Sequence, residues 1–116
     1  VAERRKFIRF EATLNALCEI VSEKRRTTYA VKNISNEGAL LLVDRKFGRG
    51  DEINLSVNVP DDNVPIFASC QVAWQDNSKD CGPYETGLQF TKIENQDKVR
   101  LLEYIYIQWL KILDRK

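Results

Sequence analysis

The first half of the chain is written in alternation. Ala12, Leu14, Ala16, Cys18 and Ile20 share one phase while Thr13, Asn15 and Glu19 share the other, which is the period-two signature of a half-buried strand. Lys24, Arg25 and Arg26 interrupt it as an exposed turn, and Thr27 to Ile34 resumes with β-branched and aromatic residues. Ala39 to Val43 is apolar on both phases, so it predicts a strand covered on both faces. Ile53, Leu55, Val57 and Val59 alternate against Asn54, Ser56 and Asn58 until Pro60 and the polar run Asp61 to Asn63 stop the pattern. Ile66, Ala68, Cys70, Val72 and Trp74 form one phase of a fifth strand, and Thr86, Leu88 and Phe90 one phase of a sixth, from Tyr84 to Phe90. Six short strands separated by turn signals predict a barrel or a sandwich.

After Phe90 the period lengthens. Val99, Leu102, Ile105, Tyr106, Trp109, Leu110 and Leu113 recur at offsets of three and four, the stripe of an amphipathic helix expected over about 96–113. Asn95 is the expected N-cap, with Asp97 in the first turn and Lys111 near the end complementing the helix dipole. Leu101, Tyr104 and Ile112 widen the apolar face beyond what packing on a small barrel needs, which leaves width for a partner or for a homodimer through this C-terminal helix.

Composition bounds the function classes. A chain of 116 residues with 43% apolar and 30% charged residues is one soluble globular domain. Its net charge of +1 argues against a global grip on nucleic acid or on an anionic membrane. Histidine is absent and the three cysteines lack CxxC spacing, so neither a metal centre nor the commonest general base is expected. Cys18 and Cys70 fall on apolar phases and read as buried thiols, whereas Cys81, beside Gly82 and Pro83, belongs in an exposed turn. No apolar run approaches the roughly 18 residues of a membrane span, and no signal region opens the chain, so a cytoplasmic location is expected. A start at Val1 and the lack of methionine suggest a domain cut from a longer protein.

Two constellations carry chemistry. Arg5 and Arg9 stand four residues apart, so they project to one side in either an extended or a helical segment and can converge on one anion. Their planar forks suit phosphate oxygens and the O6 and N7 edge of guanine. With Arg4 and Lys6 against Glu3, the first ten residues carry a net charge of +3 and little to bury. Arg45 and Arg49 repeat the spacing but read as a solvated loop before the strand that follows Asp51. The second constellation is Asn33-Ile34-Ser35-Asn36-Glu37-Gly38, between two strands: short polar side chains that bond backbone or ligand, and a glycine that supplies positive φ or room for a ligand. On local composition alone it reads as a plain polar turn.

Together, RxxxR near the N-terminus and [D/N]xSxxG before an apolar strand resemble the two-part ligand signature of PilZ domains, met by Arg5 and Arg9, then Asn33, Ser35 and Gly38. Cys70-Gln71-Val72-Ala73-Trp74 and Thr86-Gly87-Leu88-Gln89-Phe90 are similar to later strands of that family. The resemblance implies a mostly β fold, a six-stranded antiparallel barrel over 12–90 with a C-terminal amphipathic helix over 96–113 and a flexible arm over 1–11. It also implies a receptor for cyclic dimeric GMP (cyclic di-GMP), without catalysis or cofactor, that relays binding to a protein partner or fused domain. In such domains the arginines grip phosphates and guanine, and the Asx and Ser positions hydrogen-bond the base. Arginine at Arg4 implies two stacked ligand molecules per chain. The competing readings are a PilZ-like interaction module that no longer binds the nucleotide, a nucleic-acid-binding barrel disfavoured by the charge, and an enzyme disfavoured by the absence of any catalytic motif.

Overall fold

The computed structural model describes residues 10–59, 63–78 and 80–114. Six strands, β1 (Phe10–Ile20), β2 (Arg25–Ile34), β3 (Gly38–Val43), β4 (Glu52–Val57), β5 (Ile66–Gln75) and β6 (Tyr84–Ile93), precede one helix, α1 (Asn95–Asp114). The strands pair in the order β1-β2-β3-β6-β5-β4, every pair is antiparallel, and β4 returns to β1 to close the barrel. The patterning leaves a barrel or a sandwich open, and the structure is the six-stranded antiparallel barrel with a C-terminal helix that the resemblance implies.

Closure follows from the alternation. Leu14, Ala16, Cys18 and Ile20 of β1 point inward beside Ile53, Leu55 and Val57 of β4, and Ile66, Ala68, Cys70 and Val72 of β5 complete that wall. Small Ala and Cys side chains opposite large Ile and Leu let a narrow interior fill without voids. Burial pushes the Cys18 and Cys70 thiols up to about 12, while Cys81 is exposed.

The structure departs from the alternation at defined points. Trp74, expected in phase with the inward residues of β5, is 49% exposed. A bulge between Val72 and Trp74 sets Val72 opposite Leu88 but Trp74 opposite Gly87, and the extra residue turns the indole outward. On β3, Ala39, Leu41 and Val43 are buried, but Leu40 and Leu42 are only half-buried, so this strand is not covered on both faces as its composition predicts.

The helix corrects the expectation most. Among its described residues Leu101 and Ile105 are buried, with Tyr104 half-buried against the core, and it packs on β5 and β1. Of the predicted stripe only Ile105 faces the barrel; Val99, Leu102, Tyr106, Trp109, Leu110 and Leu113 are exposed. Polar bonds set this rotation. Asp97 accepts the Phe67 backbone N–H through Oδ2 at 3.2 Å, while Arg100 donates to the Pro65 carbonyl at 3.2 Å, to the Val64 carbonyl, and to Asp97 Oδ1 at 3.1 Å. The N-cap is Glu94, whose carbonyl accepts the first helical bond from Lys98 at 2.8 Å, one residue before the expected Asn95.

Candidate functional site

The turn joining β2 to β3 is built by Ser35. Its backbone N–H donates to the Gly38 carbonyl at 2.9 Å, and its hydroxyl donates to the same oxygen at 3.4 Å and accepts from the Glu37 N–H at 3.2 Å. Ser35 is fully buried. Its hydroxyl is thus engaged inside the turn, where it shapes the loop. The Glu37 carbonyl accepts the Phe90 N–H at 2.8 Å and ties the turn to β6.

Gly38 also has a reason other than those read from the sequence. Among the described glycines positive φ is found at Gly50, and a Cβ on Gly38 would sit 2.1 Å from the Leu88 carbonyl oxygen. The room that glycine leaves is taken by the β6 backbone.

Asn33 lies where two irregularities meet. β1 and β2 lose register between Glu11 and Leu14, and β2 and β3 lose it between Val31 and Asn33, so Lys32 is an extra residue and Asn33 is re-aimed. Asn33 is half-buried, and neighbouring Lys32 pairs with Glu85. Across the barrel, Asn33 pairs with Leu40, Leu40 with Gly87 and Gly87 with Trp74. At the usual strand spacing this row is about 14 Å long. The edge of the Trp74 indole rests on Gly87, where a Cβ would come within 2.3 Å of Nε1. An amide, an apolar step and a half-exposed aromatic face thus lie in one line on the outer wall. Sequence reasoning counted Trp74 as an inward residue; the signal that could have found it is Gly87, a glycine inside a strand, which marks a close approach.

The first residue of β1, Phe10, pairs with Ile34, the residue before Ser35. The chain preceding Phe10 therefore joins the barrel beside the turn. Arg4, Arg5 and Arg9, and most of the arm expected over 1–11, lie outside the described residues.

The second RxxxR segment is elsewhere. Arg45 follows β3 at the end away from Gly38, forms a two-pronged pair with Glu23 at 2.8 Å on both oxygens, and lies 4.7 Å from the Phe47 ring centre. The bond from Arg45 holds the exposed Glu23 carboxyl below its ordinary range. Gln75 clamps this loop by donating to the Arg45 carbonyl and accepting from the Phe47 N–H. Arg45 is thus engaged in structure, more than the solvated residue its sequence suggests.

A groove of about 500 Å³ near the start of the helix is lined by Glu19, Asn54, Phe67, Lys92, Glu94 and Asp97 among others. Three carboxylates against one ammonium disfavour a phosphate there, and none of its lining belongs to the turn. Among the described residues no group of three or more His, Cys, Asp or Glu could hold a metal, and no helix is long and apolar enough to cross a membrane.

The architecture is a closed six-stranded antiparallel barrel with one C-terminal helix, and the Asn33–Leu40–Gly87–Trp74 row lies on its outer wall beside the turn. The family model of the PilZ domain matches residues 3–106, and the chain belongs to that family. PilZ domains are ligand-binding receptor domains. The fold is similar to that of the Bacillus subtilis inhibitor of motility MotI/DgrA, with TM-score 0.79 and 20% identity over 95% of this chain and 53% of that one. It is also similar to K. pneumonia MrkH in complex with c-di-GMP, with TM-score 0.77 and 17% identity over 100% of this chain and 57% of that one. The PilZ domain of Escherichia coli YcgR with c-di-GMP matches at TM-score 0.73 and 12% identity over 97% of both chains. This chain spans about half the length of the MotI and MrkH chains. No curated protein matches it in sequence.

Proposed function

We propose that this PilZ domain is a non-catalytic receptor for cyclic di-GMP, held between the Arg4, Arg5 and Arg9 segment and the outer wall at the Asn33–Gly38 turn. The observation that carries the reading is the Phe10–Ile34 pairing, which brings the base of the arginine segment to the turn. The c-di-GMP complexes of MrkH and YcgR, which share the fold, support the ligand class. Arg5 and Arg9 supply forked donors to phosphate and guanine. Asn33 offers one amide oxygen to the guanine N1–H and N2–H₂ donors, where an aspartate would offer two. Ser35 and Gly38 hold the turn in shape, and Trp74 offers a stacking face to a purine. Arg4 extends the cationic segment toward a second, stacked ligand molecule.

Charge-assisted bonds contribute roughly 1.5 to 3 kcal/mol each, and micromolar binding needs about 8 kcal/mol, so a few arginine contacts carry much of the affinity. In a calorimetric titration with cyclic di-GMP, Arg5→Ala and Arg9→Ala each weaken binding by at least about tenfold. Arg45→Ala changes it little, because that guanidinium is paired with Glu23 at the other end of β3. Equal losses from all three would show that charge alone governs binding; no heat from a folded wild type would leave a protein-interaction module. The relay is an ordering step: phosphates neutralise the +3 segment and draw it onto the barrel, presenting a new surface to a partner. Amides of residues 1–9 then gain hydrogen-exchange protection at saturating ligand, and unchanged protection would remove the relay.

A further inference from the structure

Helix α1 is apolar on two sides. Leu101 and Ile105 are buried on the barrel, while Val99, Leu102, Tyr106, Trp109, Leu110 and Leu113 are each between 37% and 58% exposed. At 3.6 residues per turn this second stripe is centred about 110° around the helix from the first, on an adjacent face. The Asp97 and Arg100 bonds to the Val64–Phe67 segment hold that rotation, so the stripe cannot roll inward without breaking them. It presents on the order of 500 Å² of apolar and aromatic surface, at the top of what a monomer's largest patch shows and more than half of the roughly 800 Å² one partner gives a stable interface.

The spacing names the kind of occupant. Val99, Leu102, Tyr106, Trp109 and Leu113 follow one another at three, four, three and four residues, the seam of a two-stranded coiled coil, so the surface is shaped for another helix. The flanking charges name which helix. Lys98 precedes the first seam position and Glu103 follows the second; in a parallel pair these positions meet across the seam, so Lys98 faces Glu103 of the partner subunit, twice by symmetry. An antiparallel pair centred on Tyr106 would set Glu103 beside Leu110 and lose the charge match.

We infer that a second copy of this chain docks on the stripe, forming a homodimer of parallel helices with the two barrels on opposite outer sides. Sedimentation of the 116-residue chain from about 1 to 100 µM tests it. The wild type reaches dimer mass across that range. Leu102→Glu is monomeric with an unchanged barrel spectrum, since it buries a carboxylate in the seam and nothing in the barrel. Lys98→Glu sets like charges together and raises the dimer Kd by about tenfold, and adding Glu103→Lys to the same chain restores it. A wild type that stays monomeric throughout overturns the inference and leaves the stripe to a different protein. A dimer indifferent to Leu102→Glu, or charge reversals without loss and recovery, overturns it as well.

Discussion

Two glycines separate what holds the barrel from what equips its surface. A Cβ at Gly38 would meet a backbone oxygen of β6 at 2.1 Å, and a strand closed on both sides cannot retreat. A Cβ at Gly87 would meet the Trp74 ring edge, which belongs to a half-exposed side chain able to swing outward. Gly38→Ala therefore costs about 2 to 4 kcal/mol and lowers Tm by roughly 10 °C. Gly87→Ala costs about 1 kcal/mol or less, yet moves the indole off the Asn33–Leu40 row and weakens cyclic di-GMP binding by about fivefold or more. Thermal melts and calorimetry on the two variants decide this; a Gly87→Ala protein that melts as early as Gly38→Ala, or binds as tightly as wild type, would break the distinction.

At the level of elements, regular alternation was legible and its interruptions were not. Leu14 to Ile20 and Ile66 to Val72 announce their inward faces because every second residue is apolar. A bulge inserts one residue without any change in composition, so the outward turn of Trp74 and the re-aiming of Asn33 leave no trace in hydrophobic period. In α1 the sequence offers two apolar faces, and a polar anchor, the Asp97 bond to Phe67, chooses between them. The motif turn has the same division. The spacing of Asn33, Ser35 and Gly38 was readable, but the burial of Ser35 and its bonds within the turn were not. Ser35→Ala leaves the Glu37 N–H without its 3.2 Å acceptor and costs about 1 to 2 kcal/mol of stability, whereas Asn33→Ala lowers affinity for cyclic di-GMP with Tm shifted by no more than about 3 °C. Equal melting losses in both would return Asn33 to a purely structural role.

Across the whole molecule, the closed sheet divides labour by face: inward residues set stability, and outward residues are left for recognition. The interior makes this division measurable through pH. Cys18 on β1 and Cys70 on β5 face one apolar space, and burial raises both thiols from 9.0 to about 12. Tyr29, raised to about 12 by burial and by its hydrogen bond to Asp44, acts in the same direction. Below pH 9 each thiol is protonated in both the folded and the unfolded chain and its contribution is intact. Between 9 and 12 the unfolded chain releases protons that the folded chain keeps, so stability falls as pH rises, at up to about 1.4 kcal/mol per pH unit for each group. The sign is that of groups whose folded pKa lies above the unfolded one. Melts of the wild type therefore lose Tm steeply from pH 9 to 11, and a Cys18→Ala/Cys70→Ala protein, less stable at pH 7 from lost packing, loses less over the same interval. Parallel slopes for the two proteins would mean that the alkaline transition belongs to surface charge and that the thiols are not its source.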